Sequence, residues 1–462
     1  MRLMTSASAI YGRATREQAS VIGIVMLMTI LGGGPASAPA PRFVAAILAC
    51  GLVGLVLISN RNVLPSRFTF ADSLVIAVPL LILAHLVPLP SALWTALPGR
   101  TLGLDIDMAV FGRAGWRPLS VDPSLTAEAA AQLLPALATY FAIRTGSPSR
   151  LVAVLDGVLI AGCLGLALGV FQMLFPNTAA FMPYARGDYF APTGFFTNHN
   201  HQAVFLECLF PLAVIRGSLA PWTRRPLPAD LTVFLGFGLT AVLVCVVLAT
   251  ASRMGAVLLL PLLVLSALAL RGERTISIRR VLVLGAGLAL LTALGGARLI
   301  ASLQRGDLDA DQRWDFYRDV WQANLAYWPA GSGIGTFPVA FAPYEPLAHL
   351  GPHYLNHAHN DYLEIAIEAG AAGVVLAGVA LVWFLLRMAK AYRQGTPKHA
   401  PVQMVQRLAC IPLFILLLHS LFDYPLRTLA IEIAMVACLA LLSEEASAGR
   451  YKKSRKLSPP SN

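Results

Sequence analysis

A dozen apolar runs of membrane-spanning length recur along this 462-residue chain. Roughly 17 to 25 apolar residues cross about 30 Å of hydrocarbon as a helix, and only helices or closed barrels satisfy their backbone hydrogen bonds there. The runs lie near 18–34, 43–59, 70–89, 125–143, 151–175, 201–215, 231–250, 254–270, 281–301, 361–386, 408–424 and 426–442. Charged residues form only 13% of the chain, whereas soluble globular proteins have about 25%. The sequence therefore predicts an all-α integral membrane protein with about twelve transmembrane helices.

The lysines and arginines predict the orientation of these helices, because positively charged loops are retained in the cytoplasm. Most of the 35 basic residues fall in alternate connections when both termini are placed in the cytoplasm. The net charge of +11 is then mainly an orientation signal, and no clustered basic domain indicates a nucleic-acid partner. Three long segments, near 90–124, 176–200 and 302–360, become external, and they hold most of the histidines. We therefore expect the chemistry of the protein outside the cytoplasm.

We expect three parts along the chain. Residues 1–175 hold the first five transmembrane helices and the external loop 90–124; residues 176–442 hold a catalytic region whose external loop 302–360 contains short amphipathic helices; residues 443–462 form a disordered cytoplasmic tail. The stretch GGGPASAPAPR also resembles a signal-peptidase site, which leaves cleavage near Ala38 or Ala40 open. All six cysteines lie inside apolar runs and are interpreted as free buried thiols.

The stretch HAHNDYLEIAIEAG, residues 357–370, concentrates titratable side chains directly before an apolar run. His357, His359 and Asp361 alternate, which suits a metal ion if the backbone is extended. Zinc hydrolases with such a histidine pair need further ligands from a soluble barrel that this chain lacks, so we expect no metal and no other cofactor. Because an imidazole titrates near neutral pH, it is suited to act as a general base on a hydroxyl group.

The same stretch predicts the start of a helix. Asn360 and Asp361 are residues that can cap a helix N-terminus. Asp361, Glu364 and Glu368 follow at steps of three and four residues and so share one helix face. Two interpretations of this face remain open: a polar stripe against other helices, or carboxylates that support the chemistry.

Arginines beside apolar runs are candidates for binding an anion. Arg253, in TASRMG, lies between two apolar runs, where a charge needs a partner or a polar cavity unless it extends to the headgroups. Arg313 and Arg318 lie in DADQRWDFYRDVWQANLAYWPAGSGIGTF, which predicts an amphipathic helix at the outer face with tryptophans at the interface. These two arginines face either that interface or an anionic ligand. The GSGIG portion lacks the Gly-Lys-Ser/Thr ending of a phosphate loop and predicts only a turn.

Two more polar stretches flank apolar runs. TGFFTNHNHQA carries Asn198 and Asn200 directly before a predicted helix, where they form either a cap or part of a polar pocket. HSLFDYPLR adds His419, Asp423 and Arg427 at the outer end of the last helical pair.

The chain resembles the bacterial O-antigen ligase and polymerase family over roughly residues 190–430. The resemblance rests on the order and position of GFFTNHNHQA, ASRMG, QRWDFYRDVWQANLAYWPAGSGIGTF, HAHNDYLEIAIEAGAAG and HSLFDYPL. That family comprises polytopic inverting glycosyltransferases of envelope polysaccharide assembly. The first third of the chain resembles it only in being a series of membrane spans.

The resemblance implies a site on the periplasmic face of the bacterial inner membrane. The donor would be a polyprenyl-diphosphate-linked glycan, and the acceptor a hydroxyl of the lipid A core, of a lipid-linked glycan or of another molecule. The product would be lipopolysaccharide O-antigen, exopolysaccharide or capsule. The family's diphosphate-binding arginines match Arg253 and Arg313, and its base matches His359, with His357 as a second candidate.

Fixed guanidinium groups can stabilise a departing diphosphate by charge-assisted, often bidentate hydrogen bonds, and so can take the place of a divalent metal. On this hypothesis Glu364 or Glu368 orients the base or Arg253.

Two alternatives from other functional classes remain. Asp105 and Asp107, in the first external loop, form an Asp-X-Asp pair that could hold a divalent cation on a diphosphate, as in a metal-dependent membrane glycosyltransferase. A transporter or flippase without chemistry would also carry many spans and intramembrane charges. A transporter does not explain the histidine-rich external loop.

Overall fold

The computed structural model describes residues 2–35, 38–60, 65, 67–175, 178–184, 191–219, 229–270, 309–347, 355–393 and 401–443. For residues 2–15, 60, 229–237, 309–315 and 401 the description covers the backbone alone. The predicted span 281–301 and the predicted disordered tail, from residue 444 onward, lie outside the described residues.

The described chain is mostly helical. Its helices are α1 Arg2–Leu31, α2 Pro39–Asn60, α3 Phe70–His85, α4 Ser91–Trp94, α5 Thr101–Phe111, α6 Pro123–Gln132, α7 Leu134–Thr145, α8 Pro148–Leu174, α9 His199–Leu219, α10 Ala229–Ala249, α11 Arg253–Ala269, α12 Asp309–Tyr327, α13 Phe337–Phe341, α14 Asp361–Arg393, α15 Pro401–His419 and α16 Leu429–Ser443. Two short strands, β1 Pro88–Leu89 and β2 Arg117–Pro118, pair antiparallel with Pro88 opposite Pro118. Single 3₁₀ turns occupy Ala179–Phe181, Ala342–Tyr344 and Pro425–Arg427.

Several of these helices are those of a multi-pass membrane protein. Within the described ranges, five are long and apolar enough to cross a bilayer: Pro39–Ser59, Pro148–Leu174, His199–Leu219, Asp361–Arg393 and Val402–His419. Four shorter apolar helices accompany them: Phe70–His85, Gly238–Ala249, Arg253–Ala269 and Leu429–Ser443. The predicted helical class is confirmed, while the count of twelve spans and the cytoplasmic position of the termini stay predictions.

One predicted span is divided. The apolar run 125–143 forms α6 and α7, which meet at Leu133. Pro135 lies in the first turn of α7, where its missing N–H group would not have been bonded anyway. In one continuous helix the same proline would remove a backbone hydrogen bond, so the chain begins a new helix instead.

The interior is an apolar core of tightly packed helices. Buried side chains of α1, α2, α7, α8, α9, α11, α15 and α16 form one contiguous cluster. Gly157 of α8 lies against the backbone carbonyl of Ile22 in α1, and small residues of this kind let helices approach closely in a membrane. The prediction of burial is wrong for Cys50 and Cys163, which are exposed on the helix surface, and Cys245 is only partly buried. The six cysteines all lie in the described part of the chain, and none of them forms a disulfide.

Buried and partly buried ion pairs join the helices at one end of this bundle, which we call the ion-pair end. The pairs are Asp72 with Arg144 at 2.8 Å, Glu17 with Arg150 at 2.7 Å and Asp156 with Arg216 at 2.6 Å. The opposite ends of α3, α8 and α9 meet the segments predicted to be external. There the His85 carbonyl accepts the Ser120 N–H, the Gln172 carboxamide oxygen accepts the Gly194 N–H, and His201 contacts Thr428.

The helix α14 is interrupted near its start, and another segment docks there. Gly370 has a φ of 58°, in the left-handed region that glycine adopts without steric cost. The Gly333 N–H donates to the Glu368 carbonyl at 2.8 Å, and the Ala371 N–H donates to the Pro329 carbonyl at 2.9 Å. Residues 329–333, which include the start of GSGIG, thus supply hydrogen-bond partners for backbone groups that the interruption of α14 leaves unpaired. The GSGIG stretch therefore has a docking role in addition to the predicted turn.

Candidate active site

The first turns of α14 carry the polar face predicted from the sequence. The Asn360 side-chain oxygen accepts the N–H groups of Tyr362 and Leu363 at 3.0 and 3.1 Å, which confirms the predicted cap. The carboxylates of Asp361, Glu364 and Glu368 lie on one face and are at most 1% exposed. Such buried charges need a counter-charge or hydrogen bonds.

Arg427 supplies that counter-charge. Its guanidinium lies 2.8 Å from Glu368, 3.5 Å from Glu364 and 3.9 Å from Asp361. Burial alone would lower the pKa of Arg427, but the charges of these carboxylates outweigh it and raise the pKa above its usual value. Ser420 and the Leu426 backbone donate further hydrogen bonds to Asp361 at 2.8 and 3.1 Å.

His357 is held from two sides. Its Nδ1 lies 2.8 Å from Glu364 Oε1, and its ring stacks on Tyr424 with centroids 4.2 Å apart. The second oxygen of Glu364 accepts the Ala358 N–H at 2.9 Å. With its proton on Nδ1 toward Glu364, His357 presents Nε2 as a proton acceptor. The predicted contact between an α14 carboxylate and a histidine is therefore present, whereas Glu368 contacts Arg427, and neither glutamate meets Arg253 among the described contacts.

His359 lies in a strained backbone turn. Its φ of 50° is left-handed, a conformation that costs a residue with a side chain roughly 1–2 kcal/mol. The Tyr317 hydroxyl donates to its carbonyl at 2.9 Å, and its Nδ1 lies 3.5 Å from Asp423 Oδ1. The ring is 30% exposed and meets the edge of Tyr424 at 5.0 Å. His359 is therefore more accessible than His357, which is 19% exposed.

The connection between α15 and α16 joins both histidines to a third. Asp423 lies 3.8 Å from His201 Nε2, and the His201 Nδ1 contacts Thr428 at 2.9 Å. Burial acts to raise the pKa of Asp423, but its interactions with His201 and His359 outweigh this and hold the pKa well below its usual value. Burial also raises the pKa of Tyr424, whose ring lies among the three imidazoles. Sequence reasoning assigned neither Asp423 nor Tyr424 to the site, although HSLFDYPLR had marked this segment.

The two asparagines of TNHNH order the start of α9. Asn198 Oδ1 accepts the Asn200 N–H at 2.8 Å, which caps the helix, and Asn198 Nδ2 lies 3.5 Å from Asp423. Asn198 thus takes part in both predicted roles, as a cap and as part of the polar cluster. Asn200 contributes its backbone.

Arg253 begins α11 close to α9. Ser252 caps that helix by accepting the Gly255 N–H at 3.1 Å, and Gly255 packs against Ala203 of α9, two residues after His201. Ala251 has a φ of 58° and shares the left-handed region with His359. Arg253 is half-buried, and within the part of the chain that the structure describes it makes no ion pair.

The other two predicted arginines lie on α12. Arg318 is 75% exposed, 3.9 Å from Asp319, so the structure does not bring it into the histidine cluster. Arg313 lies on the same helix, but its side chain is outside the description. Tyr317 places this helix along the histidine segment through its bond to His359.

The Asp-X-Asp pair of the alternative hypothesis lies on α5. Asp107 is paired with Arg117 and accepts the Gly115 N–H at 3.1 Å, while Asp105 is exposed. Arg117 lowers the pKa of Asp107, an effect that outweighs the contribution of burial. A cation here would have to displace Arg117. Among the described residues, no group of three or more His, Cys, Asp or Glu side chains is arranged to hold a metal ion.

Comparison with known proteins gives a family match for part of the chain. No curated protein matches the chain. Residues 238–378 match the family model Wzy_C, described as O-Antigen ligase, and the matched range includes Arg253, α12, the GSGIG stretch and the HAHND histidines. This part of the chain, residues 238–378, is therefore similar to the O-antigen ligase family.

Proposed function

We propose that this protein transfers a glycan from a polyprenyl-diphosphate carrier to an acceptor hydroxyl at the periplasmic face of the bacterial inner membrane. The reaction inverts the anomeric carbon and belongs to lipopolysaccharide O-antigen, exopolysaccharide or capsule assembly. The observation that carries this proposal is the cluster of two histidine–carboxylate contacts, His357 with Glu364 and His359 with Asp423, at the end of α14.

His359 acts as the general base in this proposal. Its ring is the more exposed of the two, and it matches the base position of the family. His359 takes the proton of the acceptor hydroxyl while the hydroxyl oxygen attacks the anomeric carbon. The bond from that carbon to the diphosphate oxygen breaks on the opposite face, and a glycosidic bond forms. Asp423, ionised because of its lowered pKa, stabilises the imidazolium that results.

Arg253 and Arg313 stabilise the departing diphosphate. Arg253 supports this role because it is half-buried, lies two residues before Gly255, which packs against Ala203 of α9, and forms no ion pair with a described residue. A preorganised donor aimed at developing charge is worth on the order of 3 kcal/mol. Arg318, exposed on the neighbouring helix, remains a candidate only for the approach of the donor.

The arrangement of the helices supports a periplasmic site. The ion-pair end gathers Glu17, Asp72, Arg144, Arg150 and Arg216 beside connections rich in basic residues, and the histidine cluster lies at the opposite end. By the positive-inside rule the basic end faces the cytoplasm. Residues 1–175 are then a membrane scaffold, and residues 176–442 are the catalytic region.

A transfer assay on the purified protein tests the proposal. Polyprenyl-diphosphate-linked glycan is supplied with and without lipid A core, and the products are resolved by gel and mass. A single glycan block on the core identifies a ligase, and a carrier-linked ladder without core identifies a polymerase. Inversion is checked by the anomeric configuration of the new bond.

Arginine variants separate the proposed mechanism from the alternatives. Arg253→Ala is expected to lower transfer strongly, whereas Arg113→Ala, at an exposed arginine of another segment, leaves it near the wild-type rate. Loss of activity in Asp107→Ala with full activity in Arg253→Ala would instead favour the metal-dependent enzyme. Movement of substrate without any new bond would identify a transporter.

A further inference from the structure

Arg427 carries a partly buried charge, with its side chain 19% exposed, that the proposed reaction does not use. It lies on the connection between α15 and α16 and faces three carboxylates of α14 at 2.8 to 3.9 Å. A single guanidinium surrounded by three carboxylates has no free charge to offer a diphosphate. In this respect it differs from Arg253, which forms no ion pair within the described ranges.

The contacts of Glu364 connect Arg427 to the histidines. One oxygen of Glu364 lies 3.5 Å from Arg427 and 2.8 Å from His357 Nδ1, and the other oxygen accepts the Ala358 N–H at 2.9 Å. Ala358 directly precedes His359, whose left-handed backbone needs to be held by its surroundings. A shift of Glu364 would therefore move the ring of one histidine and the backbone of the other.

The connection between α15 and α16 also contacts the imidazole rings of His357 and His359 directly. Asp423 lies 3.5 Å from His359, and Tyr424 stacks on His357. Arg427 follows three residues later and fixes this connection to α14. The bidentate, planar geometry of arginine suits an anchor that must meet several carboxylates at once.

We propose that Arg427 is a positioning residue, which fixes Glu364 and through it the two histidines in the geometry that transfer requires. The inference rests on the proposed glycosyl transfer, because its kinetic consequence needs that reaction. Arg427 itself touches neither donor nor acceptor in this proposal.

Three variants test the role in the full-length protein: Arg427→Gln, Arg427→Lys, and Arg427→Gln combined with Glu368→Gln. Misplacement of a catalytic group by about 1 Å costs roughly 100-fold, so we expect Arg427→Gln to lower kcat by about that factor with little change in KM. Without Arg427, three carboxylates lack their counter-charge. The double variant neutralises one of them and keeps the Glu368 side-chain oxygen that accepts the Phe337 N–H, so its kcat is expected to be higher than that of Arg427→Gln alone. Arg144→Gln is the matched control, because it removes an arginine that is also paired with a buried carboxylate, at the ion-pair end.

A second readout does not need a substrate. Diethyl pyrocarbonate acylates accessible, unprotonated imidazoles, and tandem mass spectrometry separates His357 from His359. Faster labelling of His357 is expected in Arg427→Gln and in Arg427→Lys, and wild-type labelling in Arg144→Gln. If Arg427→Gln does not fold, Arg427→Lys keeps the charge and decides the question by the same labelling.

The results distinguish the two proposals. The positioning role would be overturned if the Arg427 variants showed unchanged labelling of His357 and a kcat within about twofold of wild type. A change of about twofold is the ordinary effect of a neutral substitution. Lower stability with unaltered kcat of the folded fraction and unaltered labelling would overturn it too, since this would be a structural role alone. Absence of transfer by the wild-type protein would overturn the proposed function, and the labelling would still decide the role of Arg427.

Discussion

Replacing Glu364 by glutamine tests the contacts that hold both histidines. The carboxylate is 1% exposed and accepts two hydrogen bonds, from His357 Nδ1 at 2.8 Å and from the Ala358 N–H at 2.9 Å. Glutamine has nearly the same size but only one acceptor oxygen. Its NH₂ group must therefore face one of the two donors. Facing Ala358, it leaves that N–H without a partner; facing His357, it keeps a hydrogen bond only if the imidazole carries its proton on Nε2, which removes Nε2 as a proton acceptor.

The size of the effect follows from this lost partner. An unsatisfied buried donor costs about 1–3 kcal/mol, and each 1.36 kcal/mol in the barrier is a factor of ten in rate. If the cost is relieved only when the histidine segment moves out of its catalytic geometry, kcat falls by about 5- to 150-fold. KM should change little, because Glu364 is buried beneath the histidines and does not face the substrate.

The assay is steady-state transfer by purified Glu364→Gln, with thermal unfolding in the same detergent. Glu128→Gln is the control, since Glu128 is a partly exposed glutamate of α6 whose loss should stay within about 0.5 kcal/mol. A kcat within about twofold of wild type for folded Glu364→Gln would refute the argument that these two hydrogen bonds hold the catalytic segment.

Three further predictions concern stability. Asp72→Asn leaves Arg144 buried without its charged partner and should destabilise the protein by about 3–5 kcal/mol, seen as a lower Tm than that of the exposed-site control Asp105→Asn; equal Tm values would contradict this. Ala251→Gly should stabilise by about 1 kcal/mol, because glycine adopts a φ of 58° without the steric cost that alanine bears, and a lower Tm would count against strain at this position. Because the pKa of Asp423 is held below its unfolded value of about 3.9, its contribution is fully present above that pH and is lost as pH falls through the folded pKa. The Tm difference between wild type and Asp423→Asn should therefore be constant from neutral to mildly acidic pH and shrink only in strong acid; a difference that vanishes near neutral pH would contradict the sign of this shift.

Local patterns predicted the start and the polar face of α14 correctly. Asn360 caps the helix through its side chain, as its position before an apolar run indicated. The steps of three and four residues from Asp361 to Glu368 place these carboxylates on one face, where all three meet Arg427. Both features depend on helical geometry alone, so a single sequence is enough to find them.

The residues that contact α14 from distant parts of the chain could not be predicted from local sequence patterns. Arg427 lies on a separate connection far along the chain from Glu364, and only tertiary packing brings the two together. The interruption at Gly370 depends on a docking segment, residues 329–333, whose sequence indicated nothing more than a turn. The exposure of Arg318 follows from the rotation of α12 about its axis, which an amphipathic pattern with aromatic residues on several sides does not fix.

The most direct test of a metal-independent histidine mechanism is the rate of glycan transfer in EDTA by the wild-type protein and by His359→Ala. The account predicts undiminished transfer by the wild type in EDTA, and loss of transfer by folded His359→Ala on the order of the 100- to 10,000-fold that a general base contributes. Transfer abolished by EDTA, or retained by His359→Ala at the wild-type rate, would contradict it.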